Sequence, residues 1–489
     1  MVQYKKPGVY IQEKNAFPDT FVPAPTSVPV FIGYTQFAKS GTTDLTNIPK
    51  KISSFAEYEQ CFGGDAPMTV TQGATPDQIT CTSPFLMHRG MRLFYGNGGD
   101  TCYIISVGSY VDKDLNPLLP DKTALIDALH SLVKTPEPTM VVTPDTALMT
   151  LAEWGDVAKA VLAHCANQQD RIAILDLVNG TQKFGLPDAI DPVRDFHETV
   201  GEIGLDYGTA YYPWVNTSLA ELDDITFLQL SDDFKKSLQK DVLAEAKDQT
   251  PHNAMLEELA NYITNVRSLP RAKSAHTALI QASTTYKDTM KKVLAAVNVM
   301  PPSTAMAGII NFTDTTVGPW NAPVDTSINF VLSPTVDMTS GEQQTLNTPL
   351  NGKAVNAIRS FMDRGVLVWG ARTLDGNSQN WRYISVRRMV ILVKRWVRTA
   401  CEPFVFAAND AQTWTTLKAI IENFLTSLWK LGAFSGGTAK EAFSVEVGLG
   451  STMTSDDIQN GYLKITVLLA NTHPAEFITL TFTQEMQKP

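Results

Sequence analysis

The sequence has few cysteines, and none of them is paired by spacing. Cys61, Cys81, Cys102, Cys165 and Cys401 are odd in number and form no CxxC motif, so neither a disulfide framework nor a zinc site is expected. Long apolar runs are also lacking: stretches such as Met389–Val393 fall far short of the roughly 20 residues a bilayer span needs. The first residues, Met1–Val9, carry two lysines but no apolar core of signal-peptide length, so folding in a reducing cytosol is the expectation. Excess positive charge is missing too. With 40 Lys and Arg against 50 Asp and Glu, the net charge of -10 argues against a sequence-blind grip on nucleic acid. There is no GxxxxGK[ST] loop, HExxH or GxSxG, and Gly448-Leu449-Gly450 lacks the third glycine of a dinucleotide turn. The seven histidines are scattered. No catalytic, cofactor or metal residues are therefore assigned.

What the sequence does contain is an ordinary globular composition, 44% hydrophobic and 18% charged, over 489 residues, enough for two to four domains. Pro7, Pro18, Pro23, Pro25 and Pro29 exclude a long helix at the start, while Val9 and Ile11, then Val28, Val30 and Ile32, keep a two-residue period. Residues 1–36 are expected to form an extended arm. From Asp121, helical spacing (Leu125, Ala128, Leu129, Leu132; Trp154, Ala158, Val161, Leu162, Cys165) alternates with short apolar runs (Met140–Val142, Ile172–Val178), the pattern of a parallel α/β domain. Residues 37–374 are assigned to it. Within them, residues 217–298 turn polar and helix-like and are expected to be a helical excursion on the outer face. Residues 375–489 make a C-terminal assembly domain. There Trp414, Leu417, Ile421, Phe424, Leu425, Leu428 and Leu431 fill half of a helical wheel that Asp410 caps and Gly432 ends. The sequence closes on strand patterns: Leu463, Ile465, Val467 and Leu469, then Ile478, Leu480 and Phe482 alternating with Thr479, Thr481 and Thr483.

Three features were weighed for chemistry. Ser303-Thr304-Ala305-Met306-Ala307 is similar to a serine-protease nucleophile segment, but a triad needs a base and an orienting carboxylate, so a loop entering a strand is the preferred reading. At about 100° per residue, Arg387, Lys394 and Arg398 line one side of a helix with Arg388 and Arg395 beside them. That face is either a solvated or internally paired surface, or a docking site for an acidic partner. Strands at both ends of a proline-tethered chain either join the chain's own sheet or pair with neighbouring copies.

A set of ordered segments tips the second alternative. They run Lys6-Pro7-Gly8-Val9-Tyr10, Phe94-Tyr95-Gly96-Asn97-Gly98-Gly99, Ala210-Tyr211-Tyr212-Pro213-Trp214, Gly318-Pro319-Trp320-Asn321-Ala322-Pro323, Gly365 to Thr373 (GVLVWGART), Val386-Arg387-Arg388, Asn409-Asp410 and His473-Pro474-Ala475-Glu476-Phe477. In that order the chain resembles the contractile tail sheath proteins, and Val447-Gly448-Leu449-Gly450 with Asp456-Asp457-Ile458 is closer to sheaths of extracellular contractile injection systems than to typical phage sheaths. The resemblance implies a mixed α/β chain: an inner α+β assembly domain built from both chain ends, and an outer α/β domain of subtilisin-like shape without protease function. It implies a structural protein, not an enzyme, that stacks as hexameric rings around an inner tube and contracts. Val9, Tyr10, Ile11 and Gln12, and Phe477, Ile478, Thr479, Leu480, Thr481 and Phe482, fall where the family exchanges strands between subunits. Arg387, Arg388, Lys394, Arg395 and Arg398 become the candidate face toward the tube. Other implied partners are baseplate and tail-terminator proteins and sibling sheath subunits, with assembly in the bacterial cytoplasm and no membrane insertion. The rival readings are a baseplate or adhesin component and an α/β hydrolase-like enzyme.

Overall fold

Val30, Phe31 and Ile32 are wholly buried, in a strand running Pro29–Thr35 (β1) that lies between two parallel neighbours in the middle of a sheet. The computed structural model describes residues 26–114, 116–186, 189–248 and 253–476. An apolar run of this kind suits a strand covered on both faces, and a proline is tolerated as its first residue. The arm reading of residues 1–36 is thus corrected: residues 29–35 belong to the interior of the α/β domain.

Seven further strands complete this sheet: Lys50–Ile52 (β2), Cys102–Ser109 (β3), Met140–Val142 (β4), Ile172–Asp176 (β5), Gly208–Tyr212 (β6), Asn356–Phe361 (β7) and Gly365–Val368 (β8). Their order is β8-β7-β6-β5-β4-β1-β3-β2. The six central strands are parallel and each edge strand is antiparallel to its neighbour. The GVLVWGART strand is thus an antiparallel edge.

Helices cover the sheet, and the helical spacing from Asp121 onward marks two of them, Lys122–Leu132 and Leu151–Gln168. Met87–Gly96 (α1), Lys122–Leu132 (α2) and Leu151–Gln168 (α3) pack their buried sides on it, with Asp121 capping α2 through the Thr123 N–H and Thr150 forming a capping box with Glu153 on α3. Within residues 217–298, helices begin at Asp232, after a strand end and two short turns. Four helices, Asp232–Asp248 (α4), Ala254–Asn265 (α5), Leu269–Ala282 (α6) and Thr284–Val297 (α7), bury Leu238, Val242, Leu256, Leu279, Tyr286 and Met290 in a core of their own. The strands flanking them, Val215–Thr217 and Val299–Met300, pair antiparallel, so the excursion leaves and re-enters the domain at one place.

Ser303 does not lie in a loop entering a strand. It begins Ser303–Thr316 (α8), whose first nine residues are all buried between α1 and the sheet. The Pro301-Pro302 pair ends the previous segment, and Pro302 precedes the first turn, where its missing N–H costs nothing.

The C-terminal region is built on Ile384–Cys401 (α9), Ala411–Lys430 (α10) and a hairpin of Phe443–Val447 (β9) with Ile465–Leu469 (β10). Asp410 caps α10 through the Thr413 N–H at 2.9 Å, and Gly432 follows with φ +89, as its position suggested. Leu417, Ile421, Leu425 and Leu428 of α10 are buried, most of them against Met389, Leu392, Val393 and Trp396 of α9. Ile384 and Ile391 of α9 instead pack in the α/β core. The division expected at residue 375 therefore runs along a helix shared by two cores.

Candidate assembly surface

The strand order places a reversal between β1 and β4, where β1 continues to β3 on one side and β3 returns to β4 on the other. Open α/β sheets bind ligands in the crevice at such a point. Here it is filled by the protein itself. Asp145, just past β4, is fully buried and accepts the N–H of Tyr34 at 2.8 Å and of Leu86 at 2.6 Å. A Cβ on Gly33 would come within 2.5 Å of the Asp145 carboxylate and 2.8 Å of Met87. Burial pushes the Asp145 carboxyl up to about 6.

One strand along, Asp176 ends β5 and meets the start of α8. It accepts the Ser303 N–H at 2.9 Å and the Ser303 hydroxyl at 2.5 Å. Burial pushes this carboxyl up to about 7 against the lowering effect of both bonds. Among the described residues no histidine bonds to either side chain. Ser303 therefore has a carboxylate but no imidazole base, and both groups serve to join a strand end to a buried helix.

The basic face of α9 is turned largely inward. The Arg387 guanidinium lies between the rings of Trp381 and Tyr207, 3.7 Å and 4.2 Å from their centroids, and pairs with the Asp206 carboxylate. Arg388 pairs with Asp314, both side chains at most 4% exposed, and donates to the Thr26 carbonyl at 3.0 Å. Arg395 donates to the carbonyls of Pro136 at 2.8 Å and Glu137 at 3.1 Å. Lys394 reaches the Gln169 amide oxygen at 3.1 Å but is exposed, as is Arg398. The five-residue docking face is thus corrected: Arg387 and Arg388 are interior ion-pair partners, because the acidic surface they match is on the same chain.

A further buried arginine has no signal in the sequence that marks it as a site residue. Arg372, 3% exposed, donates from Nε and Nη2 to Glu476 at 3.0 and 2.6 Å, and from Nη1 to the carbonyls of Asn347 and Gly376 at 2.9 and 3.1 Å. Glu476 also accepts from Asn347 Nδ2 at 2.6 Å and from the Tyr383 hydroxyl at 3.0 Å. Burial raises its pKa, but these donors outweigh burial and hold the carboxylate below its ordinary range. The ring of His473 packs edge-on against Tyr383. Glu476 is the last described residue and Thr26 the first, so the described chain is pinned at both ends to the α/β domain. The expected exchange strands, Val9–Gln12 and Phe477–Phe482, lie outside the described residues.

Close by, β9 and β10 form a two-stranded sheet, with neither strand paired to a third among the described residues. Phe443, Val447, Ile465, Val467 and Leu469 are only half-buried and Leu468 is exposed.

Known proteins resemble the chain both in its C-terminal domain and over its whole fold. The phage tail sheath C-terminal domain matches residues 377–485. A chain of the anti-feeding prophage helical sheath in its contracted state is 26% identical with a TM-score of 0.62, covering 98% of this chain and 99% of that one. A chain of the anti-feeding prophage baseplate is 26% identical with a TM-score of 0.60 over 99% and 100%. The chain is similar to contractile tail sheath proteins, and the phage tail sheath C-terminal domain is the part of it that a family model matches. The tail sheath protein of Vibrio phage KVP40 is 26% identical over 136 residues, 27% of this chain, and the match spans 20% of that relative's own length.

These similarities support a structural sheath subunit of a phage tail or of an extracellular contractile injection system. Its matched C-terminal domain contains α9, α10, the hairpin and Glu476. Arg372 and Glu476 both stand in segments that carried the resemblance, GVLVWGART and HPAEF. Their pairing across 104 positions left no local signal.

Proposed function

We propose that this sheath subunit polymerises with copies of itself as stacked hexameric rings around an inner tube and shortens to drive that tube through a target envelope. The observation that supports this most is the hairpin β9–β10. A two-stranded sheet is marginal alone, and open edges with half-buried apolar side chains suit added strands. The added strands are Val9–Gln12 of one neighbour and Phe477–Phe482 of another. The second follows directly from Glu476, which lies beside this domain. Head-to-tail exchange of this kind does not close and so tiles a cylinder, in keeping with the helical, contracted sheath of the anti-feeding prophage. Baseplate and terminator proteins, and sibling sheath subunits, are the partners at its ends, and assembly takes place in the bacterial cytoplasm. The reading has no place for catalysis, and Asp145, Asp176 and Ser303 have structural roles in it.

Negative-stain microscopy of the full chain, and of chains lacking residues 1–12 or 477–489, tests the proposal. Long hollow cylinders are expected from the full chain and discrete particles from each truncation, at matched melting temperatures. Cylinders from the doubly truncated chain would overturn strand exchange, and discrete particles from the full chain would favour a baseplate or adhesin role.

A narrower tube contact follows from the exposure of Lys394 and Arg398. The double change Lys394→Glu, Arg398→Glu is expected to weaken sheath assembly on the tube at low salt while leaving the fold intact. Unchanged assembly would remove the tube-docking role.

A further inference from the structure

Between the α/β domain and the C-terminal helices lies a cleft of about 1030 Å³, larger than a single side chain requires and on the scale of a short peptide. Its wall is aromatic and aliphatic: Trp320, Leu392, Trp396, Phe424 and Leu428, with Trp396 and Phe424 stacked at 3.8 Å and nearly parallel. Thr26 and Ser27 line its floor. Their backbone is held there, the Thr26 carbonyl by Arg388 at 3.0 Å and the Ser27 carbonyl by Asn311 at 3.2 Å. The described chain therefore begins in the lining of this cleft.

What precedes it is Ala16-Phe17-Pro18-Asp19-Thr20-Phe21-Val22-Pro23-Ala24-Pro25. Three prolines in ten residues disfavour helix and favour an extended, polyproline-like path, which costs little entropy to hold in place. Aromatic-lined grooves recognise segments of this composition. The lengths also agree. At about 3.1 Å per residue, Phe21 lies at most roughly 16 Å from Thr26. The cleft-lining stretch from Ile420 in α10 to Leu431, the residue that follows the helix, spans about 16 Å at 1.5 Å per residue.

We infer that residues 17–25 of the same chain occupy this cleft, with Phe21 set against Trp320, Trp396 and Phe424. The segment then wedges the C-terminal helices against the α/β domain and fixes where the N-terminal arm departs from the subunit. This holds whether or not residues 9–12 pair with a neighbour.

Photo-crosslinking in the full chain tests it. Benzoylphenylalanine is placed at Phe21 and, separately, at Phe17, in an equal mixture of ¹⁵N-labelled and unlabelled chains, and the products are mapped by mass spectrometry. Crosslinks from position 21 to peptides holding Trp320, Leu392–Trp396 or Ile420–Leu428, within chains of one label, are expected. The change Ile420→Lys in the cleft wall should lower their yield by roughly tenfold. Crosslinks joining labelled to unlabelled chains would give the cleft to a second copy, and crosslinks to other parts of the same chain, or a yield insensitive to Ile420→Lys, would leave the cleft to a different occupant. Each of these results overturns the inference.

Discussion

Changing Asp314 to Asn separates a buried ion pair from a docking face. The Arg388–Asp314 pair is bidentate, and its side chains are 4% and 1% exposed. Neutralising Asp314 leaves a guanidinium without its counter-charge in the interior, where removing one partner of such a pair costs about 3–5 kcal/mol. Unfolding entropy of about 2.1 cal/mol/K per residue over 489 residues is about 1 kcal/mol/K, so a loss of that size lowers the melting temperature by about 3–5 °C if the chain melts as one unit. Differential scanning calorimetry on the disassembled subunit measures it. The double change Arg388→Met, Asp314→Leu removes both charges and is expected to recover most of the loss, because apolar residues of similar volume replace buried ion pairs at little cost. Lys394→Glu, which reverses an exposed charge on the same helix, should shift melting by less than about 1 °C. If Asp314→Asn melts like the unaltered chain, or if the double change is worse than the single, the pair is not the buried clamp described.

Two further changes probe the other buried carboxylates. Asp176 has its folded pKa raised from 3.8 to about 7, so its contribution to stability is greatest below pH 3.8 and is lost as pH rises through about 7. Asp176→Asn can still accept the Ser303 N–H and donate to its hydroxyl, and should flatten the fall in stability between pH 6 and 8 by about 1 kcal/mol, read from urea unfolding at each pH; an unchanged slope counts against a buried proton there. Glu476 is shifted the other way, so its contribution is present above its ordinary 4.5 and is lost as pH falls below it. Glu476→Gln at pH 7.5 should speed amide exchange across Asn471–Glu476 by at least about tenfold, the equivalent of about 1.4 kcal/mol of lost anchoring; unaltered exchange would mean that Arg372 does not hold that segment.

Periodicity exposed most of the fold and little of the site. The alternation from Asp121 onward gave β4, β5 and the helices between them, and the wheel of α10 with Asp410 and Gly432 gave its ends, because those signals are local. Strand β1 was read as part of an arm because Pro23, Pro25 and Pro29 crowd its start. Proline content marks where a helix cannot form and does not mark where an extended segment enters a sheet. The arginines of α9 were placed correctly on one side of a helix, but a wheel does not say what faces it. Here Asp206, Asp314 and the carbonyls of Pro136 and Glu137, all distant in sequence, supply the answer. Arg372 and Glu476 stood in segments already noted, and only the folded chain shows them in contact.

These contacts bear on how force would pass through a subunit that exchanges strands. Both ends of the described chain are tied to the α/β domain, Thr26 through Arg388 and Glu476 through Arg372. The hairpin that would receive strands belongs to the core built on α9 and α10, and its second strand ends seven residues before Glu476. A pull applied at the hairpin then reaches Glu476 along residues 470–476, and reaches Thr26 through α9, which places Ile384 and Ile391 in one core and Met389, Leu392, Val393 and Trp396 in the other. That helix has neither glycine nor proline over its 18 residues, so it has no built-in point of bending. Its ion pairs with Asp206 and Asp314 fix it to the α/β domain at the end nearest the anchored termini. Rearrangement between subunits would therefore keep the α/β domain and the C-terminal core together as one body, because α9, which joins them, offers no hinge of its own.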